Sequence, residues 1–240
     1  MHRCFINDSV IIDETFSIGG DDRNHIVNSL RMKMGERLEV VGGNGSFLCE
    51  IVDITGEDLR IKAIEEIEKQ SESHIDIILY QALAKGDKMD FIVQKATELG
   101  VKEIHPINTV RTVVKLESKR AKKRIERLNS IAKEACKQSR RDYIPEVRDI
   151  IDLSDINEET LLVAYETEED KTLKAKLKEL KSNRIAVLIG PEGGFDPKEI
   201  EFLSERGAHI ISLGPRILRT ETAGLALVSI IQYELGDMGE

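Results

Sequence analysis

Five largely apolar runs constrain this chain more than any other feature: Ile75 to Ala82, Ile104 to Ile107, Leu161 to Tyr165, Arg184 to Ile189 and His209 to Leu213. A strand that is apolar at successive positions must bury both its faces, and a sheet covered by helices on each side provides that. Helical patterns alternate with the runs. Met89, Ile92, Val93, Ala96 and Leu99 share one face and end at Gly100. Asp196, Pro197 and Glu199 read as N-cap, N1 and N3 of a second helix that Gly207 closes. The expected class is α/β. A final helix, from about Thr222 to Leu235, is apolar almost all round. Such a helix is expected to be buried on more than one side, in a crowded core or a subunit interface.

The first part of the chain has another texture. Leu38, Val40 and Val41, a turn at Gly42-Gly43-Asn44-Gly45, and a run from Phe47 to Ile54 open an antiparallel meander. A turn at Thr55-Gly56-Glu57-Asp58 and a third run with Leu59, Ile61 and Ile64 complete it. A helix is expected before it, from Asp21 to Met34, with a stop at Gly35. The polar stretch Glu68 to His74 is the expected linker. The organisation expected is a small strand-rich domain over residues 1–70 and a larger α/β domain over 74–240.

Composition excludes several classes. Cys4, Cys49 and Cys136 lie far apart with no Cys or His at ligand spacing, which argues against a metal site and a disulfide framework. No apolar run approaches the roughly 18 residues of a membrane span, and MHRCFINDSV lacks a signal peptide's layout, so a cytoplasmic protein is expected. The net charge of −9 argues against a nucleic-acid partner. Its distribution does not. Between Arg111 and Arg148, thirteen Lys or Arg stand against five acids. A solvated helix face with pairs such as Lys122 with Glu126 accounts for that segment as readily as a phosphate-binding surface does.

The stretch Leu188 to Ala223 carries the chemistry: strand, Gly-rich loop, capped helix, strand, second Gly-containing loop, helix. If its two strands are parallel neighbours, both loops leave the carboxyl edge of the sheet, where open α/β folds bind ligands. Glycines let backbone approach a flat ligand closely. The phosphate-cradling patterns GxxxxGK[ST] and GxGxxG are absent, so a nucleoside-like ligand fits better than a triphosphate.

Several segments together resemble a known family. HIVNSLRMKMGERLEVVGGNG from His25, QALAKGDKMDFIVQKATELGV from Gln81, EACKQSRRDYIPEV from Glu134, LIGPEGGF from Leu188 and LGPRILRTETA from Leu213 are similar to segments of the bacterial 16S rRNA (uracil-N3) methyltransferases. These are the RsmE family of the SPOUT superfamily. The resemblance implies an N-terminal PUA-like β-barrel that helps bind RNA and a C-terminal domain with a deep trefoil knot. It further implies S-adenosylmethionine as cofactor, small-subunit rRNA as partner, and a homodimer through the C-terminal domain.

Site residues follow from the same match. Leu188, Ile189, Gly190, Pro191, Glu192, Gly193 and Gly194 correspond to a first cofactor loop. Leu213, Gly214, Arg216, Ile217, Leu218 and Arg219 correspond to a second, with Thr222 and Ala223 closing the pocket and Tyr165 and Glu166 ending the preceding strand. Attack by uracil N3 needs loss of a proton and stabilisation of charge on the flanking carbonyls. Arg219 or Arg3 is the expected cation, and Glu221 is a candidate base that could equally cap its helix. Candidate RNA contacts are Arg3 and Arg31 in the first domain, with Lys85, Lys88, Arg111, Lys115, Arg140 and Arg141 in the second. The loops report the methyl donor rather than the acceptor. A related enzyme with another RNA target, or a non-catalytic ribosome-assembly protein, therefore stands beside the leading expectation.

Overall fold

The computed structural model describes residues 1–68, 71–112, 118–166 and 173–239. The chain divides into two compact units, Met1–Ser71 and Glu72–Glu240.

The first unit is a five-stranded sheet made of β1 (Arg3–Phe5), β2 (Thr15–Ile18), β3 (Arg37–Gly42), β4 (Gly45–Ile54) and β5 (Leu59–Glu66), ordered β1-β3-β4-β5-β2. The meander β3-β4-β5 is antiparallel, and β1 joins β3 in parallel. Leu59, Ile61 and Ala63 alternate toward the core with Leu38, Val40, Cys49 and Ile51. The helix expected to reach Met34 is much shorter. Helix α1 (Gly20–Asn24) passes into a π-helical turn, His25–Ser29, and the chain leaves it through Arg31 at a φ of 56°. A left-handed residue cannot continue a right-handed helix, so the helical residues end at Ser29, five positions before Met34.

The second unit is a wholly parallel sheet. Its elements, in chain order, are β6 (Asp76–Ala82), α2 (Lys88–Glu98), β7 (Glu103–Asn108), α3 (Ser118–Ser139), β8 (Glu146–Val147), β9 (Ile151–Asp152), β10 (Leu161–Ala164), α4 (Leu173–Leu177), β11 (Arg184–Ile189), α5 (Pro197–Glu205), β12 (His209–Ile211) and α6 (Thr220–Leu235). The strand order is β12-β10-β11-β6-β7-β8, with β9 also on β7. Continuous apolar strands are required because both faces are covered. Ile77 and Leu79 pack with Met89, Ile92, Leu128, Leu227 and Ile231 on one face, while Ile78 and Tyr80 pack with Phe195 and Leu203 on the other.

Strands β11 and β12 are parallel but not neighbours, because β10 lies between them. The carboxyl edge survives this correction: Ala164 pairs with both Ile189 and Ile211, so three strands end level. Helix α5 has the expected capping box at Asp196 and Glu199. Helix α6 starts at Thr220 and buries one side, through Ala223, Leu227, Val228 and Ile231. Its other side is open, with Ile230 40% and Tyr233 69% exposed.

Candidate functional site

Because β10, β11 and β12 end together, the segments that follow them meet. Tyr165 and Glu166, Gly190 to Gly194, and Ser212 to Arg219 leave one edge of the sheet. Between the first and third lies a cleft of about 560 Å³, lined by Ala164, Tyr165, Glu166, Ser212 to Leu218 and Ala223. That volume falls within the roughly 300–1,000 Å³ of small-molecule sites. A smaller compartment of about 230 Å³ shares Glu166, Ile217 and Leu218 with it and adds Lys88, Pro191, Glu192, Gly194, Arg219 and Thr220.

Local chemistry fixes these walls. Gly194 sits at a φ of 68°, closing a turn in which its N–H donates to the Pro191 carbonyl at 2.9 Å. A Cβ there would lie 2.4 Å from Glu166 Oε1, so the glycine also lets this carboxylate reach the loop. From below, the Gln81 amide donates to Thr220 Oγ1 at 2.9 Å, and that hydroxyl donates to the Gly190 carbonyl at 2.7 Å. Arg111 donates to the Gly193 carbonyl at 3.0 Å and lies 3.5 Å from Asp196, which ties the loop to the start of α5.

Lys88 bridges the two loops. Its ammonium lies 3.3 Å from Glu192 Oε1 and 3.2 Å from Glu221 Oε2. The second contact lacks hydrogen-bonding geometry at that oxygen and is chiefly ionic. Glu221, then Glu192, hold the Lys88 pKa above the usual lysine range. Burial pushes both carboxyls up, but backbone N–H groups and Lys88 outweigh it and leave each below the ordinary glutamate value. At neutral pH this is an ionised carboxylate–ammonium–carboxylate clamp.

The expected cofactor residues divide. Tyr165, Glu166, Leu213, Gly214, Arg216, Ile217, Leu218 and Ala223 line the larger cleft, and Pro191, Glu192, Gly194 and Arg219 the smaller. Leu188 and Ile189 are core residues, Gly190 backs onto the Phe195 ring, Gly193 lies against Arg111, and Thr222 is exposed on α6. Arg219 is exposed at the small compartment, with no ion-pair partner among the described residues. Glu221 is not the N-cap of α6, which is Arg219; in the first turn its carboxylate holds Lys88 and accepts from its own backbone N–H.

Two candidate RNA contacts are spent inside the protein. Arg3 is 8% exposed, paired with Glu39 at 3.2 Å and donating to Ser46. Arg141 is 3% exposed, paired with Glu72 and donating to the Thr97 and Val101 carbonyls. Arg31, Lys85 and Arg140 are exposed, and Lys115 lies outside the described residues. Sequence reasoning missed Gln81 and Ser212 as parts of the site; Pro215 and Thr220 lie in the second loop segment that it singled out. A glutamine at the end of an otherwise apolar strand was the available signal for the first. Among the described residues no group of three or more His, Cys, Asp or Glu could hold a metal ion.

Comparison with known proteins decides the family. A model described as an RNA methyltransferase domain matches residues 71–232, and one described as an RNA methyltransferase PUA domain matches residues 18–64. The ribosomal RNA small subunit methyltransferase E of Bacillus subtilis is 37% identical over 231 residues, covering 92% of this chain and 90% of the relative. This chain belongs to the small subunit methyltransferase E family. Its fold is that of the family too. The Neisseria gonorrhoeae family member, solved bound to S-adenosyl methionine, superimposes with a TM-score of 0.89 at 31% identity, covering 99% of each chain. A methyltransferase from Legionella pneumophila, solved with bound SAM, gives 0.89 at 31% identity and 98% coverage of each chain.

Proposed function

We propose that this enzyme transfers the methyl group of S-adenosylmethionine to N3 of a uridine in 16S rRNA. The observation that carries the reading is the pair of joined compartments at one sheet edge, in a chain whose family relatives are rRNA methyltransferases with SAM-bound members. The larger compartment fits the cofactor. Its backbone-rich loop suits the adenosine, and Glu166 offers a carboxylate for a ribose hydroxyl. When bound, the cofactor supplies an electrophilic methyl group.

The rest of the chemistry is orientation and charge. The target base occupies the smaller compartment, where Arg219 faces a carbonyl oxygen of the uracil and stabilises the negative charge that spreads there as N3 loses its proton. N3 takes part in Watson–Crick pairing, so the reacting nucleotide is unpaired or turned outward. Glu221, ionised and held by Lys88 beside that compartment, is the candidate acceptor for the N3 proton.

The same reading takes in a SPOUT-type trefoil knot in the segment from β10 to α6, a PUA-like barrel that grips RNA through residues such as Arg31, and work in the cytoplasm. It also takes in a homodimer on the open side of α6, where Ile230 and Tyr233 are exposed. The decisive experiment incubates the protein with labelled S-adenosylmethionine and small subunits lacking the modification, then identifies the labelled nucleoside by mass spectrometry. 3-Methyluridine is expected. Label in another nucleoside, or none despite saturable cofactor binding, overturns the acceptor assignment. Arg219→Ala should bind cofactor normally and lose turnover; wild-type turnover would remove Arg219 from its role.

A further inference from the structure

We propose that the projecting first turns of α3, together with Lys85, form the surface that takes the phosphate backbone of the RNA flanking the target nucleotide. The inference rests on RNA being the substrate, and on where α3 lies. Arg127 pairs with Asp90 in the first turn of α2, and Arg124 donates to the Ala84 and Gly86 carbonyls at 3.4 and 3.5 Å, just ahead of α2. At its far end Arg141, just past α3, reaches Thr97 and Val101 around the end of α2. The two helices therefore run side by side in the same sense. Residues 118–123 extend beyond the start of α2 by about 9 Å at 1.5 Å per residue. That direction is the carboxyl edge of the sheet, because the loop they pass, residues 83–87, follows β6.

This overhang carries Lys119, Arg120, Lys122 and Lys123, all exposed, with no ion pair among the described residues. The expected Lys122–Glu126 pair is not formed, so stabilisation by that pairing does not explain the residues. Their position adds a cost: positive side chains in the first turns oppose the helix dipole, and no acid sits in the first turn to offset them. The cations gain from an anionic partner instead. The loop beneath leads directly into the site. Lys85 has an exposed side chain while its backbone N–H holds Glu192, and Lys88 lines the small compartment. On the far side of the cleft Arg216 and Arg219 are exposed. A strand crossing from α3 over residues 84–88 thus meets positive charge on its way to the compartment, in a protein whose net charge of −9 repels it elsewhere.

The test compares wild type with Lys119→Gln/Lys122→Gln/Lys123→Gln, and with Lys178→Gln/Lys181→Gln as a control on exposed lysines near α4. The probe is a fluorescent 16S rRNA transcript titrated at several salt concentrations, with S-adenosylmethionine affinity measured separately. The α3 variant should bind RNA on the order of 10- to 100-fold more weakly at 0.15 M salt, with the log–log salt slope reduced by about 2. Its cofactor affinity and circular dichroism should match wild type, and the control should keep both RNA affinity and most of the slope. RNA affinity and slope unchanged in the α3 variant, or reduced equally in the control, overturn the proposal. Failure of the wild type to bind the transcript overturns it as well. RNA binding that follows this pattern without methyl transfer would instead refute the proposed reaction and leave the surface standing.

Discussion

Gly194→Ala probes the loop that lines the smaller compartment and meets Glu166, which both compartments share. An L-residue at a φ of 68° is strained by about 1–2 kcal/mol. The added Cβ also comes 2.4 Å from Glu166 Oε1, but that atom ends a rotatable side chain that can swing aside. The backbone term should therefore dominate. The 1–2 kcal/mol has two places to appear. If the loop keeps its path without ligand, stability falls, lowering Tm by about 2–8 °C for a chain of this size. If the loop relaxes when free, cofactor affinity falls by roughly 5- to 30-fold. Calorimetric titration with S-adenosylmethionine and thermal unfolding together should recover the sum. The same substitution in a Glu166→Ala background should cost nearly as much. Affinity and Tm both at wild-type values would refute the strain argument. A coupling above about 1 kcal/mol between the two positions would show Glu166 to be locked and the steric term to rule.

Other parts of the molecule give equally definite expectations. Arg141→Met removes a buried guanidinium that holds two carbonyls and Glu72, whose side chain is 27% exposed. The expected loss in urea denaturation is about 2–4 kcal/mol, below the 3–5 of a fully buried pair; a loss under about 0.5 would contradict the assignment. Burial holds the His105 imidazole below its ordinary value of 6.5, against the pull of Glu103 at 3.1 Å. The unfolded chain therefore takes up this proton first. The contribution to stability is complete above about pH 6.5 and is lost as pH falls from there through the folded-state value. Thermal scans of wild type and His105→Gln should converge toward acid pH, and parallel curves would exclude the effect. Ile230→Asp should turn the proposed homodimer into a monomer by light scattering; a wild type that is already monomeric would refute the dimer, and a dimer that survives the substitution would move the interface off α6.

How much of this was readable depended on how local each cause is. The capping box at Asp196 and the turn at Gly42 to Gly45 are decided within a few residues, and both stand where the pattern puts them. The insertion of β10 between β11 and β12 is a sheet-order decision that no local pattern encodes. The early end of the first helix depends on Arg31 adopting a left-handed conformation, which residue type does not announce. In the site, Gly194 and Gly214 stand in loops that line the two compartments, while Gly190 and Gly193 pack against Phe195 and Arg111, a division that the glycine pattern alone does not encode. Arg3, expected as an RNA contact and a catalytic cation, and Arg141, expected as an RNA contact, are buried in ion pairs instead, because their partners Glu39 and Glu72 are distant in sequence and only the fold brings them together. Lys88 was legible as a cation and not as a bridge, for the same reason.

The central strand β6 pairs on one side with β7, which follows it closely, and on the other with β11, where Asp76 meets Arg184 more than a hundred residues later. A ribosome adding about 5–20 residues per second needs roughly 5–20 s to deliver that second partner. For that interval the nascent chain holds a strand with one open edge and apolar residues on both faces. The loops of the proposed cofactor cleft come later still, so the newborn enzyme passes through a sticky, ligand-blind stage and depends on whatever shields an unfinished sheet in the cell.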